Sequence, residues 1–275
     1  MKCREHFRVP RRETPFHPRV AAASLLSDWY AWSGFKAARA LWDEELEYFC
    51  IRSTAALLDI SPLVKYRIEG PGAAAYLNRL TPRDVTGLAP GRVQYTSWCD
   101  DDGQVLDDGT LFRLGPERFR LCCQERHLPW LVDSAFGFEV AVADESEAVA
   151  ALALQGPTSA AVLRALGVAE VEELRPFDCA DTVVGGVPVL LSRTGFSGDL
   201  GYELFVAPER ALALWDALEG GRCRAGPAAH RLCGDGPGAD RGGPPGGGGR
   251  VPRRGPGAAV GSGAAAGRDR VGLDG

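Results

Sequence analysis

Lysine is nearly missing from this chain: Lys2, Lys36 and Lys65 stand against 28 arginines. Histidine is scarce too, and His6, His17, His127 and His230 show no partner spacing that would build a histidine-based nucleophilic triad. Eight cysteines include no C-x-x-C pair, and the adjacent Cys122 and Cys123 would point to opposite faces of a strand. That pattern excludes a zinc site and a disulfide framework, so no metal is expected and a reducing cytoplasm fits best. No run approaches the ~18 apolar residues of a membrane span. The N-terminal MKCREHFRVPRRETPF is basic but contains Glu5 and Glu13 and no apolar segment, so it reads as neither a signal nor a clear transit peptide.

What is present is a globular composition: 275 residues, 45% hydrophobic and 24% charged, enough for one large domain or two ordinary ones. Glycine breaks the uniformity, because 17 of the 35 glycines and six prolines fall in residues 222–275. Large apolar side chains there are limited to Leu232, Val251, Val260, Val271 and Leu273, too few to offset the entropy of ordering, so this Gly/Arg/Pro-rich tail is expected to be disordered. The net charge of −5 divides at the same point into a body of −10 and a tail of +5. An acidic body argues against nucleic-acid binding, which needs clustered Lys and Arg on the folded surface; an arginine/glycine RNA-binding tail is the competing reading.

Along the body the periodicity alternates. Residues 18–56 carry helical signals interrupted at Gly34, after which ALWDEELEYFCIRSTAALLD resumes at helical spacing. VKYRIE reads as a strand, and GPGAAAYLNRL as a helix opening on Gly-Pro. VQYTSW and VLDDGTLFRL form a hairpin turning on Asp102-Gly103. FRLCC is a strand and QERHLPWLVDSA a helix whose proline either kinks it or marks its first turn; FEVAVAD and VAALALQ are further strands. Gly156-Pro157 starts the helix TSAAVLRAL, VVGGVPVLLSR is a hairpin, GYELFVA a strand and ERALALWDALEG a helix. Mixed elements without a parallel βαβ rhythm define an α+β fold, and no repeat of 20 to 50 residues is visible.

Two places carry candidate chemistry. Asp100-Asp101-Asp102-Gly103 reads as a solvated turn, since its spacing does not meet the calcium-loop pattern. Asp107 and Asp108 interrupt an apolar strand, so one of them should face the packed side, where a carboxylate is costly unless it accepts hydrogen bonds, such as from a bound ligand's N–H groups; the inward one is a functional candidate. In TGFSGDLGYEL the glycine spacing lacks the lysine and following helix of a phosphate loop. It reads either as a structural loop or as a turn bringing Phe196 near Glu203, an aromatic ring and a carboxylate that together suit a flat heterocycle.

Taken in series, RSTAALLDISPLVKYRIEGPGAAAYLNRL, GRVQYTSWCDDDGQVLDDGTLFRL, LALQGPTSAAVL and VPVLLSRTGFSGDLGYELFV resemble the glycine-cleavage T-protein or aminomethyltransferase family and its relatives, the folate-dependent demethylases and the dimethylglycine and sarcosine oxidases. The resemblance runs through residues 14–218. It implies two ferredoxin-like modules around a folate channel, followed by a C-terminal barrel, and a tetrahydrofolate-dependent one-carbon transferase with folate-binding region 14–220. By position Asp108 matches the family's essential acid, Tyr95 a tyrosine lining the channel, Glu203 the pterin-reading carboxylate, and Phe196 the tyrosine of TGYTG. The implied partners are a small methylated or aminomethylated donor and a lipoylated carrier protein. DISPL stands where T-proteins read DVSHM and is closer to the demethylase-like branch, and RLCC replaces a strand that supplies asparagine to folate. A non-catalytic folate-binding maintenance protein of the same fold is the alternative.

The family continues past ERALALWDALEG into a segment like RPxGxxAxDxxRIEAG, whereas this chain reads RCRAGPAAHRLCGDGPGADRGG. Codons exist for HRLCGDGPGADRGG that, shifted by one base, read TGYAAMDLARIEAG. The tail is therefore expected to be out-of-frame translation beginning near residues 220–222, with the family's barrel and folate-tail-binding arginine absent.

Overall fold

The computed structural model describes residues 12–224, with side chains to residue 221. It begins with β1 (Arg12–Glu13), α1 (His17–Ala23), β2 (Trp29–Trp32) and β3 (Phe35–Ala38). The helical pattern expected up to Gly34 stops at Ala23. The aromatic segment WYAW instead pairs antiparallel with FKAA through a turn in which Ser33 and Gly34 have φ of 45° and 85°. Two successive positive φ values give the primed turn that matches strand twist, and aromatic residues favour the pleated surface.

The next helix, α2 (Glu44–Ser53), is capped by Asp43, whose Oδ1 accepts the Leu46 N–H at 2.9 Å. Glu47 reaches back to accept the N–H groups of Leu41 and Trp42 at 2.7 and 2.8 Å. The apolar ALLD that follows, expected to extend this helix, is a strand, β4 (Ala56–Asp59), because it finds a pairing partner far along the chain.

Two modules then repeat one plan. The first comprises β5 (Val64–Glu69), α3 (Ala73–Leu80), β6 (Arg92–Cys99), β7 (Val105–Arg113), β8 (Arg118–Cys123), α4 (Leu128–Ser134) and β9 (Ala141–Asp144), in an antiparallel sheet of order β6-β7-β8-β5-β9. The second comprises β10 (Ala150–Gln155), α5 (Ser159–Ala165), β11 (Cys179–Val184), β12 (Val187–Ser192), β13 (Gly201–Val206) and α6 (Ala211–Arg224), in the order β11-β12-β13-β10-β4. β4 occupies in the second sheet the place of β9 in the first. The fold is α+β with two ferredoxin-like modules, as the sequence resemblance implies.

The repeat is written in IEGPGAAAYLNRL and LQGPTSAAVLRAL, whose spacing is longer than the repeats sought in the sequence. In each, a strand turns into a helix through Gly-Pro. Gly70 has φ 137° and Gly156 φ 131°, and an added Cβ would lie 2.5 Å from the Glu139 carbonyl or 2.4 Å from that of Thr54. Only glycine adopts this conformation and lets the backbones approach so closely.

Strand alternation distributes the core. Val64, Tyr66, Ile68, Leu111, Phe119, Leu121 and Cys123 pack toward α3 and α4, while Leu152, Leu154, Leu204 and Val206 pack toward α5 and α6. The opposite faces of the two sheets meet through Phe112, Cys122, Ala151, Ala153 and Phe205, with the Phe112 and Phe205 rings edge-on at 5.2 Å. Burial of each ring contributes about 1.5–3 kcal/mol. Main-chain bonds join the sheet edges, Val93 N–H to Phe177 O and Cys179 N–H to Gly91 O, both 2.8 Å. Among the described residues no sheet closes into a barrel. α6 continues through residues 222–224, and the remainder of the expected tail, 225–275, lies outside the described residues.

Candidate functional site

The register of β6 against β7 pairs Ser97 with Asp108 and Trp98 with Asp107, so the two aspartates face opposite ways. Asp107 is the inward one. Its side chain is 9% exposed, and its oxygens accept the N–H of Asp108 at 2.8 Å and of Glu125 at 3.0 Å, with His127 Nε2 3.3 Å away. The protein itself supplies the donors that the burial of a carboxylate demands.

Asp108 is exposed on the face that carries Phe112 and Cys122. Tyr95, diagonal to it on the neighbouring strand and half exposed, donates its phenol O–H to Asp108 Oδ2 at 2.5 Å. That bond to a carboxylate holds the Tyr95 phenol above the ordinary tyrosine value.

Glu203 lies on β13 opposite Ala153 and Ser192, on the sheet face that meets the first module. Thr194 donates to its Oε2 at 2.5 Å. Burial raises the Glu203 carboxyl, opposed by Thr194 and by the positive charge of Lys65. Lys65, fully buried on β5, donates to the carbonyls of Ser61 and Leu63, each at 2.8 Å, and burial pulls its pKa down to about 8. Cys122, buried and in register with Lys65 on the neighbouring strand, is pushed up to about 12 by burial and is a neutral thiol. It pairs with Thr110, two residues from Asp108 on the same face. The structure thus places Tyr95 and Asp108 on one facing surface and Glu203 on the other, with Cys122 and Lys65 along the seam.

Phe196 is 94% exposed, so the expected approach to Glu203 is not formed. The loop glycines serve another purpose. A Cβ at Gly195 or Gly201 would lie 2.1 Å from Gln155 Oε1, and the Gln155 amide accepts from Ser197 at 2.8 Å and donates to the carbonyls of Thr194 and Tyr202. Phe196 instead lines a cavity of about 340 Å³ together with Tyr30, Trp32, Lys36, Asp59 and Gln124. There Trp32 Nε1 donates to Gln124 Oε1 at 2.9 Å, and Asp59, raised by burial, accepts from Thr14 at 2.5 Å.

Sequence reasoning missed Lys65 and this cavity. Alternation put Lys65 on the face opposite Tyr66, but nothing local shows that a second sheet covers that face, and the cavity depends on the unrecognised β2–β3 hairpin. Among the described residues no group of three or more His, Cys, Asp or Glu is arranged to hold a metal ion, and no helix is long and apolar enough to cross a membrane.

Residues 21–229 match the family described as GCVT N-terminal domain. The aminomethyltransferase of Streptomyces coelicolor is 37% identical over 187 residues, covering 66% of this chain and 50% of that protein. That of Geobacillus kaustophilus is 39% identical over 177 residues, covering 62% and 48%. Among solved structures, the glycine cleavage system aminomethyltransferase T from Bartonella henselae superposes with a TM-score of 0.68 at 28% identity, covering 77% of this chain and 58% of that one. The chain spans about half the length of the curated relatives it matches.

Proposed function

This chain belongs to the GCVT N-terminal domain family, and from that premise we propose that it is the folate-binding region of a tetrahydrofolate-dependent transferase of an aminomethyl or methyl unit. The observation that carries the reading is the Tyr95–Asp108 pair, an exposed carboxylate held by a 2.5 Å bond on a sheet face opposed by Glu203. The residues suit a reduced pterin: its edge presents N–H donors, and Glu203 and Asp108 present acceptor oxygens on facing surfaces. Tetrahydrofolate, when bound, supplies a nucleophilic ring nitrogen for the one-carbon unit.

The chain's own groups then have separate tasks. Glu203 reads the pterin edge, and its elevated pKa makes this binding pH-sensitive. Asp108 sets a fixed negative charge beside nitrogen as positive charge develops there, an electrostatic effect already organised before reaction. Tyr95 keeps its phenol proton directed at Asp108 Oδ2 and so fixes the direction of that carboxylate. Phe196, 94% exposed and not brought to Glu203, has no assigned part in this site. The name of the aminomethyltransferase relatives supports an aminomethylated donor, and a lipoylated carrier presenting it and a cytoplasmic setting are parts of the same proposal. DISPL in place of the T-protein's DVSHM favours a methylated small molecule instead. Coupled assays with each donor separate the two.

The test of the core reading is calorimetric titration of tetrahydrofolate into the wild-type chain and Glu203→Gln. Saturable binding weakened by the substitution supports it; equal affinities exclude Glu203 from the site. The frame-shifted tail belongs to the same proposal, with the chain as given binding folate weakly and turning over nothing. DNA sequence across codons 215–275 that reads into RIEAG one base out of frame would support it.

A further inference from the structure

We propose that Asp107 is a positioning residue for Asp108, holding the Tyr95–Asp108 pair in place from the other side of the sheet. The catalytic part of this proposal rests on the function proposed above; the geometric part does not.

Asp107 sits in strand register with Trp98, on the face packed against helices, where a carboxylate without donors would cost several kcal/mol. Its oxygens accept from two main-chain groups, with His127 Nε2 3.3 Å from Oδ2. Oδ1 accepts the N–H of Asp108 itself at 2.8 Å, and Oδ2 accepts the N–H of Glu125 at 3.0 Å. The first bond restrains the peptide from which the Asp108 side chain springs. The second ties β7 to residues 124–127, the segment leaving β8, where Cys123 Sγ also donates to the Glu125 carbonyl at 3.3 Å.

That segment reaches round to the other face. Gln124 Oε1 accepts the Trp32 indole N–H at 2.9 Å, and its carbonyl accepts the Ser33 hydroxyl at 2.9 Å. Tyr95 is anchored separately, by Arg83 Nη1 donating to its carbonyl at 2.9 Å. One buried carboxylate therefore links the exposed acid, the strand end beside it and the aromatic hairpin across the cavity. A site whose reacting carboxylate must be held within about half an ångström needs such support behind it.

The test reads the Tyr95 phenol, which reports its bond to Asp108 without any ligand. Ultraviolet titrations of wild type, Asp107→Glu and Asp108→Asn, each corrected with its Tyr95→Phe counterpart, isolate that one phenol. Asp107→Glu keeps the charge but lengthens the side chain, so the charge on Tyr95 is conserved while the bonds to Asp108 and Glu125 are displaced. The expected result is a Tyr95 titration lowered from the wild-type value toward that of Asp108→Asn. An Asp107→Glu curve superimposing on wild type, while Asp108→Asn moves, overturns the proposal.

Should the variants not fold, amide exchange on the wild-type chain decides. A protected Glu125 amide supports the bond to Asp107, and exchange at the unstructured rate refutes it. In the transfer assay with the frame-restored protein, Asp107→Glu should lower turnover about 10- to 100-fold with tetrahydrofolate affinity within about threefold; unchanged turnover alongside a shifted phenol would leave Asp107 holding the pair without serving the chemistry, against the catalytic part. Absence of folate binding would strike the proposed function and leave the phenol titration standing, so the two failures are distinguishable.

Discussion

Replacing Lys65 with methionine tests the electrostatics of the seam between the sheets. The lysine is fully buried and its pKa falls from 10.5 to about 8. At about 1.4 kcal/mol per pH unit, that displacement corresponds to a cost of about 3 kcal/mol for keeping the ammonium charged at neutral pH. Methionine conserves the volume and removes this cost. It also leaves the carbonyls of Ser61 and Leu63 without their 2.8 Å donor, at about 1–3 kcal/mol each, so the neutral-pH stability should change little in either direction.

The pH dependence is the decisive quantity. Between about pH 8 and 10.5 the unfolded chain binds the lysine proton and the folded chain does not, so the stability of wild type relative to Lys65→Met rises through that window and is flat below it. The buried thiols Cys122 and Cys179, both pushed up to about 12, act oppositely, because their contribution is lost above the unfolded cysteine value near 9. Cys122, although it loses the nearby charge of Lys65, stays a neutral thiol in both proteins through pH 10, and Cys179 is common to both and cancels in the difference. Urea unfolding at pH 7, 8, 9 and 10 measures it, with an expected relative gain approaching 3 kcal/mol toward pH 10.5. Parallel curves would refute a buried, depressed Lys65.

In a frame-restored protein, Asp108→Asn should retain the fold and lower turnover by about 100- to 1,000-fold, measured under saturating folate; near-normal turnover removes Asp108 from catalysis. Glu203→Gln should weaken tetrahydrofolate binding by about 10- to 150-fold in calorimetry, since a charge-assisted acceptor becomes a neutral amide. Restoring the frame across codons 215–275 should strengthen folate binding over the present chain by a similar factor and yield transfer; equal activity of the two chains would contradict the tail reading. Gly156→Ala should lose at least about 2 kcal/mol in urea unfolding, because φ is 131° and the new methyl meets the Thr54 carbonyl at 2.4 Å.

Sequence by itself determined the local elements and the family. VKYRIE declares a strand by alternation, Asp102-Gly103 a hairpin turn, and Gly-Pro the start of two helices, because each is decided by forces acting within a few residues. It also fixed that Asp107 and Asp108 must face opposite ways. Which of them is buried was not legible, since a period of two is the same in either phase until one face is covered. Tertiary structure made that choice by packing Trp98, Leu111 and Cys123 against the helices. The same long-range pairing turned ALLD from the end of a helix into the fifth strand of a sheet, and folded WYAW back as a hairpin that encloses the cavity. Lys65 became a buried charge only because a second sheet lies across a face that alternation alone would leave in water. Backbone preference and side-chain alternation are local and can be read in order along the chain, whereas burial and charge compensation depend on which distant segment arrives to exclude the solvent.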